Sequence, residues 1–188
     1  RGCPWGVVTN GMLLTRERMR SLVASGMRSI TLSMDGFEEQ HNAIRRHPQS
    51  WRNAERALEV MTSEWGYGWS PTRITLSTVG VVPNLKRFLD ESQCHLAVSL
   101  HNPFSDQRRE IMPVEAAYPI REVVALLKQY DFTHQRRVSF EYIVLKGMND
   151  SPEHIKELCR LLDGLKCRIN LIRFHAIPDS PYVSPDGD

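Results

Sequence analysis

Short apolar runs alternate along the chain with longer stretches whose apolar residues recur every three or four positions. This alternation predicts a parallel sheet joined by crossover helices. The predicted strands cover residues 5–9, 29–33, 73–78, 95–100, 137–145 and 167–174, and the predicted helices cover 15–25, 50–63, 84–92, 119–130 and 152–163. Thr15 is placed as an N-cap, because its hydroxyl suits the unpaired amides of a first turn. Pro119 and Pro152 stand where a missing N–H costs nothing, and Gly26 and Gly164 stand where helices end. Parallel folds of this kind bind ligands at the C-terminal ends of their strands. Thr9-Asn10-Gly11, Ser33-Met34-Asp35-Gly36, Ser77-Thr78, Ser99-Leu100-His101 and His175 all fall on that rim. Each group alone is ordinary turn chemistry. Five of them on one rim favour a binding site.

The composition is that of a globular domain, with 188 residues, 41% hydrophobic and 24% charged, which sets aside disordered and fibrous classes. No apolar run approaches the roughly 18 residues of a membrane helix, and Arg1-Gly2-Cys3-Pro4 does not open as a signal peptide. The expected compartment is therefore the cytoplasm, with no membrane association and no protein partner evident. A formal charge of +2 is too small to argue for nucleic acid, although Arg108-Arg109, Arg136-Arg137 and Arg168 with Arg173 form local basic groups. Cys3, Cys94, Cys159 and Cys167 lack the short gaps of a metal or cluster loop, so they read as idle thiols and no metal ligand is expected.

More specific signals begin at Glu64-Trp65-Gly66-Tyr67-Gly68 and continue through Ser70-Pro71-Thr72-Arg73-Ile74-Thr75-Leu76-Ser77-Thr78-Val79-Gly80-Val81-Val82-Pro83. His95-Leu96-Ala97-Val98-Ser99-Leu100-His101 and Arg108-Arg109-Glu110-Ile111-Met112-Pro113 come next. Phe140-Glu141-Tyr142-Ile143-Val144-Leu145-Lys146-Gly147-Met148-Asn149-Asp150 and Cys167-Arg168-Ile169-Asn170-Leu171-Ile172 complete the series. In order and spacing, residues 64–185 resemble the dual-specificity adenine-C2 methyltransferases of 23S ribosomal and transfer RNA, which are radical S-adenosylmethionine (SAM) enzymes. Residues 1–60 are similar instead to peptide-modifying radical SAM proteins with accessory clusters, through Val7-Val8-Thr9-Asn10-Gly11-Met12-Leu13-Leu14-Thr15, Ile30-Thr31-Leu32-Ser33-Met34-Asp35-Gly36 and the stretch from His41 to Arg45. The two likenesses meet in an Ala- and Leu-rich amphipathic stretch.

The resemblance implies an α/β fold, a partial parallel (β/α) barrel of the radical SAM type with about six strands. Residues 1–188 would form one such unit, with a seam expected within 50–68. The implied activity is radical SAM-dependent methylation of adenine C2, the implied partners are 23S rRNA and tRNA, and the implied cofactors are SAM and a [4Fe-4S] cluster. The family's three-cysteine cluster loop has no counterpart here, nor do its methyl-carrying and resolving cysteines. The chain alone is therefore expected to be incomplete and inactive, with no catalytic residue assigned. By resemblance Ser77, Ser99, Leu100 and His101 would contact SAM, and His175 stands where the family has an asparagine. From the other branch, Ser33 and Arg45 would hold the methionyl carboxylate. The family likeness also suggests that Arg108, Arg109, Arg136 and Arg137 steer RNA phosphates, whereas Glu141, within a strand, reads as half of a structural salt bridge. Two alternatives stay open: a peptide-modifying radical SAM enzyme, and an inactive barrel that binds SAM or RNA.

Overall fold

The computed structural model describes residues 2–133, 136–175, 178 and 180–185. Its six parallel strands are β1 (Trp5–Thr9), β2 (Met27–Ser33), β3 (Ile74–Thr78), β4 (His95–Ser99), β5 (Val138–Val144) and β6 (Arg168–Arg173), paired in sequential order. They curl into a half-barrel, so β1 and β6 are its two edges. All six expected strands are present, with ends that move by one or two residues.

Seven α-helices lie among the described residues: α1 (Arg16–Ala24), α2 (Glu38–Arg45), α3 (Ser50–Thr62), α4 (Val82–Glu91), α5 (Ser105–Ile111), α6 (Ile120–Leu127) and α7 (Pro152–Leu162). The Thr15 hydroxyl accepts from the Arg18 amide at 3.2 Å, as its N-cap role requires. Pro152 opens α7 as expected, whereas Pro119 sits one position earlier, as the N-cap of α6. Helices α2 and α5 were not expected from the sequence. Both are short, neither has a side-chain cap, and α2 is a polar run whose buried residue is a histidine. Neither presents the apolar stripe that makes a helix legible.

Strand alternation separates the sheet's two faces. Ile30, Leu32, Ile74, Leu76, Leu96, Val98, Val138 and Phe140 all point outward and are buried beneath the helices. The core is nevertheless divided. One cluster joins β2 and β3 to α1 and α3; the other joins β4 and β5 to α4, α6 and α7, and Phe88 packs against both. The outer face of β6 has no such cover: Ile169 and Leu171, in register with the buried Phe140 and Tyr142, are 41% and 67% exposed.

Gly80 lets the chain leave β3. It has φ +97, and a Cβ there would lie 2.9 Å from Val123 Cγ2. Gly80→Ala is expected to cost about 1–2 kcal/mol through backbone strain and overpacking, measured as a lower urea midpoint.

Candidate functional site

The inner face of the half-barrel is polar. Thr31, Ser33, Thr75, Ser77, Ser99, Ser139, Glu141 and Asn170 alternate with the outward apolar residues. Ser33 pairs in register with Ser77, and Ser99 pairs with Glu141, which pairs with Asn170. Neighbouring strands lie about 4.8 Å apart, so these groups form two adjacent polar rows at the C-terminal end of the sheet. Glu141 Oε2 accepts from Asn170 Nδ2 at 2.8 Å. This is a cross-strand hydrogen bond between side chains, where the sequence reading expected an ion pair.

The Ser99-Leu100-His101 segment is largely committed to the protein itself. The Leu100 side chain is fully buried in the core. Its amide donates to Glu141 O at 3.0 Å, and its carbonyl accepts from Arg108 Nε at 2.9 Å. The Ser99 carbonyl accepts from Arg108 Nη2 at 2.8 Å. His101 takes a left-handed backbone, φ 56, and Asn149 Nδ2 donates to its carbonyl at 2.6 Å. Its ring Nδ1 accepts from the Ile143 amide at 3.1 Å. A neutral ring in that arrangement carries its hydrogen on Nε2, so His101 Nε2 and Ser99 Oγ remain as the segment's polar groups for a ligand. Burial, reinforced by the positive charge of Arg108, pushes the His101 imidazole down to about 4, which keeps the ring neutral near pH 7.

Arg108 is the structural centre of this rim rather than a phosphate-steering residue. It is completely buried, ion-paired with the equally buried Glu115, and donates to carbonyls at the ends of both β3 and β4, including Val79 O at 3.3 Å. Glu115 Oε2 also accepts the Ile120 amide at 2.9 Å. Arg136 is buried as well and donates to Leu89 O at 2.7 Å. Arg137 is exposed but begins β5, at the opposite end from the rim, which leaves Arg109 as the exposed arginine of the four beyond the C-terminal ends.

Asp35 and Asn149 belong to the same scaffold and went unnoticed in the sequence. Asp35 is buried; its Oδ1 accepts the Val79 amide at 3.1 Å, and its Oδ2 pairs with Arg45 Nη2 at 2.5 Å. Arg45 is therefore held at the rim with its guanidinium engaged. His41 supports this corner: Nδ1 accepts the Asp35 amide at 2.9 Å, and Nε2 meets Ser50 Oγ at 3.0 Å. Burial lowers the His41 pKa, Asp35 opposes that shift, and Arg45 adds to it. The Asn149 amide joins the carbonyls of His101 and Ile143 to the Leu145 amide. The signal for both was an Asp or Asn in a post-strand turn, where a short polar side chain bonds nearby backbone. His175 is exposed just past β6.

No group of three or more His, Cys, Asp or Glu able to hold a metal occurs among the described residues. Cys94 and Cys167 precede β4 and β6, at the end opposite the hydroxyl rim; Cys159 is on α7, and Cys3 precedes β1. Burial raises the thiol pKa of both Cys94 and Cys167, which disfavours the thiolate that a cluster needs. The residues present thus fit a polar cofactor but not an iron–sulfur cluster. Among the described residues, no helix is long and apolar enough to cross a membrane.

No protein-family model matches the chain. The Probable dual-specificity RNA methyltransferase RlmN of Parabacteroides distasonis is 63% identical over 131 residues, which cover 70% of this chain and 38% of that protein. This chain is related to the radical SAM RNA methyltransferases. The RlmN likeness extends to the Dual-specificity RNA methyltransferase RlmN of Syntrophus aciditrophicus, 40% identical over 139 residues, covering 74% of this chain and 40% of that one. A crystal structure of a radical SAM methyltransferase from Sphaerobacter thermophilus superposes with a TM-score of 0.74 at 34% identity. That match covers 91% of this chain and 48% of that one. The chain thus spans about two fifths of the RlmN relatives it matches, and its six parallel strands are a partial radical SAM barrel.

Proposed function

We propose that this chain is the SAM-binding part of a radical SAM methyltransferase acting on adenine C2 of 23S rRNA and tRNA, incomplete without cluster ligands from beyond its described residues. The observation that carries this reading is the hydroxyl-lined rim, in a chain whose relatives carry the RlmN name. When bound, SAM is the family's source of both the radical and the methyl group. The residues of this chain bind and orient it. The Ser77 and Ser99 hydroxyls suit the zwitterionic methionyl end or the ribose, and His101 Nε2–H is a fixed donor beside them. Arg109, exposed next to the rim, suits RNA phosphates, which set position rather than base choice. The same reading puts the protein in the cytoplasm.

Ser33 and Arg45 come from the other half of the proposed seam, and that seam is supported by the divided core. Their neighbours differ from those of Ser99, so the two sets do not contribute equally. Titration calorimetry with SAM is expected to show binding. Ser99→Ala should weaken it about 5- to 10-fold, the size of one lost hydrogen bond. Arg45→Ala should change it less than about 2-fold, because Asp35 already holds that guanidinium. No heat of binding with the folded chain would defeat the proposal.

A second reading, a barrel that binds SAM without chemistry, is favoured by the scattered cysteines. Anaerobic reconstitution with iron and sulfide distinguishes the two readings. Cluster absorbance would oppose the non-catalytic one.

A further inference from the structure

The largest apolar space described in the molecule is on the sheet's other face. A cavity of about 530 Å³ separates α3 from α4 above β3, walled by Met34, Trp51, Leu58, Leu76, Leu85 and Phe88. Its volume falls in the range of small-molecule sites, roughly 300–1,000 Å³. It coincides with the division between the two core clusters, where close packing is expected and not achieved.

The wall contains one polar atom with an unmet need. Asn84 lines the cavity, and its Oδ1 is shielded from solvent without a hydrogen-bond partner. A buried acceptor left unpaired costs on the order of 1–3 kcal/mol. Space for this amide is kept by Gly36, where a Cβ would come within 2.9 Å of Asn84 Nδ2. An apolar enclosure with a single unsatisfied acceptor is complementary to a flat aromatic molecule bearing one N–H or O–H donor.

We propose that the cavity between α3 and α4 is a binding site for a bicyclic aromatic compound that donates one hydrogen bond to Asn84 Oδ1. The outward residues Leu76 and Met34 separate it from the inner hydroxyl face, so occupancy does not compete directly with SAM. Its ligand is recognised by shape and by a single donor, with no charge requirement.

The test uses the intact chain and two probes of nearly equal shape, indole and benzothiophene, titrated by ligand-observed NMR with and without SAM. Indole is expected to bind about 5- to 10-fold tighter than benzothiophene, because only indole offers an N–H to the orphan acceptor. Asn84→Ala should abolish that preference, and Leu58→Trp, which fills the cavity, should remove binding of both probes while thermal unfolding stays cooperative. Equal affinities in the wild-type chain, an undiminished preference in Asn84→Ala, or no binding by either probe would overturn the proposal. Displacement of indole by SAM would do the same. Failure of SAM to bind would bear on the hydroxyl rim alone.

Discussion

Arg108→Ala is expected to destabilise the chain by about 3–5 kcal/mol, the cost of leaving one charge of a buried ion pair without its partner. Glu115 would be stranded in the core, and the carbonyls of Val79, Ser99 and Leu100 would lose the guanidinium that ties the ends of β3 and β4 together. Urea unfolding should show the loss directly as a lower midpoint. Arg109→Ala, one position along and exposed, is expected to stay within about 0.5 kcal/mol, and Glu115→Gln should fall between, since an amide still accepts a hydrogen bond but carries no charge. An Arg108→Ala midpoint indistinguishable from that of Arg109→Ala would show that the pair does not hold the rim.

Acid should weaken the fold through His101. The native imidazole is held at about 4, against an ordinary value of 6.5, so between those values the unfolded chain binds a proton that the native state refuses. The associated stability is complete above about pH 6.5, declines as pH falls toward 4, and levels off below. A shift of this size corresponds to roughly 3 kcal/mol. Protonation also forces a hydrogen onto Nδ1, where it would face the Ile143 amide. His101→Asn is the suitable variant, because asparagine tolerates the left-handed backbone at this position. Its stability should fall less steeply between pH 6.5 and 4, with a residual slope from His41 and His95, whose pKa values are also lowered by burial. NMR titration gives an independent check, and a His101 ring titrating near 6.5 would refute the account.

All six strands and five of the helices were legible because period-two and three-to-four-residue patterns report directly on burial. The rim was legible too, since Ser33, Ser77 and Ser99 all end strands of one parallel sheet. Arg108 was not. In sequence, a buried guanidinium looks the same as a solvated one; what distinguishes it is Glu115 seven residues on, together with carbonyls supplied by two other segments. Leu100 was legible as a neighbour of the site, but its backbone donor and acceptor turned out to be used within the sheet and by Arg108. Helices α2 and α5 escaped for a different reason, being too short and too polar to show a stripe. The orphan acceptor of Asn84 depends on how α3 and α4 fail to meet, which no local pattern encodes.

The sequential order of the strands has an evolutionary consequence. Each β–α unit joins the sheet beside the unit just before it, and no strand is inserted between earlier ones. Units from different ancestors can therefore be spliced end to end without rethreading, and the junction need satisfy only one pair of neighbouring strands and the helices above them. Recombination at such a boundary preserves the backbone ladder, as the β2–β3 register from Ile30 to Ser33 illustrates, while the cost of mismatch collects between the helices.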